Sequence, residues 1–128
     1  MAHPPKPNSR PKVLARLQAL VAALPDTVEK IAWGGPTFRV AGGRMFAMYD
    51  DHHHGEARVA LWCRAPEGVQ EMLVSADPQR FFRPPYVGPD GWIGIRLDGV
   101  VDWEEVADFL AAAHRLAMPV KKKRARRS

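Results

Sequence analysis

The chain has 128 residues, 46% of them apolar, a single cysteine and a formal net charge of +5. That length suits one domain, and the apolar share is too high for a disordered chain. One cysteine excludes an internal disulfide and a cysteine-rich zinc pattern, and no apolar run reaches the ~18–20 residues of a membrane helix.

Residues 1–12 hold prolines at 4, 5, 7 and 11 and read as a disordered lead-in with no secretory signal, so a cytoplasmic protein with no membrane contact is expected. Residues 13–24 predict a helix, with Val13, Leu14, Leu17, Leu20, Val21 and Leu24 on one stripe and Pro25 ending it. Val28, Ile31 and Trp33 lead into Gly34-Gly35-Pro36, which punctuates the chain. Thr37–Val40 and Arg44–Tyr49 read as strands joined by a glycine turn. Strict alternation would point Met45, Ala47 and Tyr49 to one face, and Phe46 and Met48 to the other.

Residues 50–57 read as a polar loop. Arg58–Arg64 predicts a strand with Val59, Leu61 and Cys63 opposite Ala60 and Trp62. Pro66 fits the first turn of a short helix, with Val69, Met72 and Leu73 on its apolar face, and Asp77-Pro78 stops it. Residues 79–91 read as a loop, Trp92–Leu97 as a strand and Asp98-Gly99 as a turn. Asp102 and Glu105 have the spacing of a capping box. They open a helix with Trp103, Val106, Phe109, Leu110, Ala113 and Leu116 on its apolar side, ended by Pro119. Hairpin connections dominate, so the fold class is α+β: a compact two-layer domain, mainly antiparallel sheet packed against helices. The expected organisation is a tail over 1–12, a domain over 13–118 and a disordered basic tail over 119–128.

The charge is unevenly placed. The two tails hold nine Lys and Arg and no acid, whereas residues 13–118 hold ten against fourteen acids, a net of −4. Lys121, Lys122, Lys123, Arg124, Arg126 and Arg127 put six cations into seven residues. Such a run attracts phosphate backbones through counterion release and gives affinity without sequence discrimination. The plainer alternative is a solubilising tail.

Within the body, Arg39 and Arg44 are the candidate cations, and Trp33, Tyr86 and Trp92 the candidate stacking or ligand surface, because nucleic-acid binders pair cations with flat rings. Against this, aromatic residues in a small domain usually fill the core. Asp50-Asp51-His52-His53-His54 has ligand chemistry, but adjacent histidines in an extended chain cannot all face one ion, so a polar loop is the expectation and no metal is assigned. Cys63 alternates with Leu61 and reads as a buried thiol, and Glu104-Glu105 reads as a solvated helix start. No phosphate loop, nucleotide fingerprint or nucleophile triad is present, so no enzyme activity and no cofactor are expected.

Several short segments occur together in a familiar order: Trp33-Gly34 with Pro36 and Phe38, then Gly43-Arg44-Met45-Phe46-Ala47. Pro85-Tyr86, Gly91-Trp92, Ile95 and Val101-Asp102 follow. Over roughly residues 12–118 the chain resembles the MmcQ/YjbR family. The resemblance implies a CyaY-like α+β domain, shared with frataxin, and the family's label of a DNA-binding domain with a double-wing arrangement, without catalytic activity. The family often has Lys where Arg44 stands, and Ser-Tyr where Ala113-His114-Arg115 precedes Leu116-Ala117. Frataxin-type iron binding does not carry over, because helix 13–24 lacks the acidic ridge. The expected partner is DNA or RNA, held non-catalytically; the alternative is a protein-interaction or small-ligand module, motivated by Phe81, Phe82 and Tyr86 among prolines.

Overall fold

The computed structural model describes residues 10–51 and 58–119. Three helices and six strands follow in the order α1 Pro11–Ala22, β1 Thr27–Ala32, β2 Gly35–Val40, β3 Met45–Asp51, β4 Val59–Cys63, α2 Val69–Ala76, β5 Phe81–Phe82, β6 Ile93–Arg96 and α3 Trp103–Ala117. The sheet order is β1-β2-β3-β4-β6-β5, and every pairing is antiparallel. The expected α+β class is the one observed.

The core forms between one sheet face and the helices. Leu17 and Val21 of α1 and Val106, Leu110, Ala113 and Ala117 of α3 pack against Phe38, Val40, Phe46, Ala47, Leu61 and Ile95. Val59, Leu61 and Cys63 do share the helix side of β4, and Ala60 and Trp62 the other. On α3 the buried stripe includes His114 and Ala117, whereas Leu116 is exposed. His114 seals the domain edge: its ring meets Phe46 edge-on at 5.5 Å and its Nε2 donates to the Pro25 carbonyl at 2.7 Å.

Several boundaries differ from the sequence expectation for identifiable reasons. Helix α1 begins at Pro11, two residues earlier, because proline suits the first helical turn and Lys12 continues it. It ends at Ala22, with Ala23 as its C-cap. Helix α2 begins only at Val69, with Gly68 in the left-handed region as its N-cap, so Pro66 precedes the helix and is not in its first turn. Gly35 and Pro36 belong to β2, and the hairpin turn is Trp33-Gly34, at φ 53° and 88°. The 79–91 segment contains a two-residue edge strand, β5, too short to show alternation. Asp50 and Asp51 are not loop residues: they end β3, paired with Ala60 and Val59, and both are buried. Asp102 caps α3, accepting from the Glu104 and Glu105 N–H groups at 3.1 and 3.2 Å. The Glu105 carboxylate pairs with Arg80 rather than reaching back to complete a capping box.

One irregularity shapes the opposite face. Phe38 pairs with Ala47 and Arg39 with Met45, so Phe46 is the extra residue of a β-bulge. The bulge overrides strict alternation: Phe46 joins Ala47 and Tyr49 in the helix-side core, while Met45 and Met48 both lie on the other face. Among the described residues no helix is long and apolar enough to cross a membrane.

Candidate functional site

The sheet face away from the helices carries one continuous row of paired residues. Lys30, Thr37, Met48, Trp62, Gly94 and Phe82 follow one another from β1 to β5. Side chains directly opposite in an antiparallel pair share a face. Gly94 is required here, because a Cβ would run into the Phe82 ring lying across it. Trp62, Ala60 and Trp92 form a small second core, with Met45, Met48, Phe82 and Val87 packed at its margin.

Two adjoining clefts open on this face. The first, about 420 Å³, is walled by Trp33, Met45, Met48, Trp62, Tyr86 and Val87. The second, about 330 Å³, is lined by Asp50, Arg58, Phe82, Arg83 and Pro85, and shares Trp62 and Tyr86 with the first. Trp33 and Tyr86 are 65% and 75% exposed, at φ 53° and 64°. Left-handed backbone costs a bulky L-residue about 1–2 kcal/mol, so both rings are held at the cleft walls by an unfavourable local geometry. The 83–92 loop bearing Tyr86 is anchored by Gln70 of α2, whose Nε2 donates to the Gly88 and Trp92 carbonyls at 2.9 and 2.5 Å.

Cations gather around this face. Arg58 stacks over Phe82 at 3.9 Å, and Arg64 lies over Trp92 at 5.2 Å while its Nε donates to the Met45 carbonyl at 2.7 Å. Burial, with the Arg44 charge adding to it, lowers the Arg64 pKa below its ordinary value. Arg39 pairs with Met45 across the bulge. Its Nε is buried, with no hydrogen-bond partner among the described residues. Arg96 lies opposite Ala60 and pairs with Asp98 at 3.2 Å. Burial raises the Asp98 pKa, but hydrogen bonds from Arg96 and the Val59 N–H outweigh it and bring the carboxyl below its ordinary 3.8.

The structure sorts the sequence candidates. Trp33 and Tyr86 both line the first cleft. Trp92 is 2% exposed and does not present its ring; the large apolar surface of an indole next to Trp62 is better hidden in the second core. Arg39 is on the cleft side of the sheet, but Arg44 is tied elsewhere. Its Nη2 donates to the Leu116 carbonyl at 2.8 Å and its backbone N–H to Ala117 at 3.0 Å, closing the end of α3. Of Phe81, Phe82 and Tyr86, only Tyr86 is exposed, so the three do not form a joint surface. Cys63 is buried, which pushes its thiol up to about 12. His52–His54 and Lys121–Arg127 lie outside the described residues. Among the described residues no group of three or more His, Cys, Asp or Glu could hold a metal ion.

Sequence reading missed Met45, Met48, Trp62 and Val87 as cleft walls, and Arg58 and Arg83 as its cationic rim. The alternation of Ala60 and Trp62 was the available signal, because it sends a tryptophan to the side without helices.

Comparison with known proteins places the chain. The family model described as YjbR matches residues 22–116, so the chain belongs to the YjbR family. The crystal structure of Deinococcus radiodurans protein DR2400, with the family-model domain DUF419, superimposes with a TM-score of 0.67 at 22% identity. That match covers 80% of this chain and 76% of the other. No curated protein matches the chain.

Proposed function

We propose that this member of the YjbR family binds nucleic acid without catalysing a reaction. The observation that carries the reading is the helix-free sheet face, where exposed rings and arginines surround adjoining clefts. Phosphates favour the arginines, and bases favour the rings. The basic C-terminal run adds electrostatic affinity that needs no fixed structure. With all six cations engaged on duplex DNA, the slope of log K against log salt would be about −5.

The test is titration of the full chain with labelled DNA across a salt series, beside a variant in which the six tail cations are replaced by Gln. A steep salt slope that collapses in the variant locates the affinity in the tail. Residual binding by the variant locates the remainder in the body. No binding by either protein at low salt overturns the reading.

A small-ligand module is the second reading, favoured by the largely apolar walls of the first cleft. Pockets of roughly 300–1,000 Å³ suit small ligands. Saturable binding of a neutral aromatic compound with no salt dependence would support it over the first.

A further inference from the structure

We propose that the cleft walled by Trp33 and Tyr86 takes one unpaired base, so that the folded body selects single-stranded over duplex nucleic acid. This rests on the nucleic-acid reading above and adds the substrate class and the residues that set it.

Four observations converge. The first cleft has two exposed flat walls, Trp33 and Tyr86, and is also lined by Met45, Met48 and the buried Trp62. Aromatic rings stack bases of any identity, and thioethers adapt to irregular apolar contacts. The two most exposed rings are fixed at left-handed backbone positions, so the walls are placed before a ligand arrives. The second cleft shares Trp62 and Tyr86 and carries Arg58 and Arg83, putting cations one cleft away from the rings. A nucleotide has that layout, a flat apolar base joined to an anionic phosphate. Asp50 also lines the second cleft. Arg83 is exposed, with its stem packed over Gly88.

Size and shape exclude the duplex from this contact. A paired base inside a double helix presents only its edge, and its faces are covered by neighbours. It reaches a ring-walled cleft only after flipping, at the cost of unstacking. An unpaired base presents its faces freely. Duplex DNA therefore meets only the cations, including the tail.

The experiment uses the full chain, a Trp33→Gly variant that keeps the left-handed turn, and an Ile31→Ser control on exposed Ile31. Each is titrated with a short oligothymidylate, with the duplex of the same length and with thymidine monophosphate, read by tryptophan fluorescence and by anisotropy of a labelled strand. The single strand should quench tryptophan emission, and Trp33→Gly should weaken its binding about tenfold. Duplex binding should be unchanged by either substitution and should not quench. Equal effects of Trp33→Gly on both nucleic acids, or on neither, overturn the proposal and leave tail-driven binding standing. Monophosphate binding as tight as the oligonucleotide overturns the single-strand assignment in favour of a free nucleotide. Failure of every nucleic acid to bind overturns the parent reading instead.

Discussion

Replacing Trp33 by Gly and by Ala separates what the ring does for the fold from what it does for a ligand. Trp33 is 65% exposed, so about a third of its surface is hidden. A buried Trp covers roughly 200 Å², and a third of that at ~25 cal/mol/Å² is about 2 kcal/mol lost in either variant. The backbone at φ 53° returns part of this only to glycine. Releasing a left-handed side chain gains about 1–2 kcal/mol, less roughly 0.5–1 kcal/mol for the added freedom of an unfolded Gly. Trp33→Gly should therefore cost about 1 kcal/mol and lower Tm by a few degrees, whereas Trp33→Ala should cost about 2 kcal/mol. The order Gly more stable than Ala reverses the usual order in helices and strands. Urea denaturation of the two variants measures the difference directly. If the Ala variant proves equally stable or more so, Trp33 is not held left-handed and the argument for a pre-placed cleft wall fails. Both variants should lose single-strand binding alike, because both lack the ring.

Gly94→Val drives a branched side chain into Phe82, and should destabilise by about 1–3 kcal/mol in thermal melts while disturbing the second cleft. Cys63, at a thiol pKa of about 12, should not react with a disulfide reagent at pH 8 until the protein unfolds, when one thiol per chain is released. Asp98 has a lowered folded pKa, so its stabilising contribution is present above its ordinary 3.8 and lost as pH falls through the lower folded value. Asp98→Asn should flatten that acid limb of the stability profile, and an unchanged limb would refute the linkage. Arg44→Ala removes the bond to the Leu116 carbonyl and should cost about 1 kcal/mol, with single-strand affinity retained if the cleft is the contact.

The fold was legible where one periodicity dominated. The α1 stripe through Leu17 and Val21, the β4 alternation and the Asp102 cap all follow from spacing or from a single local bond. The clefts were only half legible. Trp33 and Tyr86 could be named as rings, but their exposure depends on backbone angles that no residue type announces, since glycine is the usual occupant there. The two methionines came together through a bulge that breaks the alternation on which sequence reading relies. Trp92 sits at a glycine-flanked position that reads like Trp33, yet it is enclosed: it packs with Ala60 and Trp62, and Arg64 lies over its ring. Arg44 reads as a free cation beside a glycine turn, but the partner that ties it down is 72 residues away in sequence.

A body of net charge −4 would repel phosphate if its charges were evenly mixed, and the sheet register shows that they are not. Lys30, Arg39 and Arg96 lie on the helix-free face by strand pairing, and Arg58, Arg64 and Arg83 by their ring and cleft contacts. These six are the majority of the ten cations between residues 13 and 118. Four of the fourteen acids lie elsewhere, Glu104, Glu105 and Asp108 on α3 and Glu29 bonded to Gln18 of α1, while Asp50 lines the second cleft and Asp98 pairs with Arg96. At physiological salt, charges separated by more than ~8 Å are largely screened, so a phosphate at the clefts responds to the local arginines more than to acids across the domain. The tail and the open face then act in different ranges. A long cationic run raises encounter with any polyanion, while rings and arginines at short range decide whether a base is accepted. Removing the tail charges should therefore weaken single strand and duplex by similar factors, and removing Trp33 should weaken only the first.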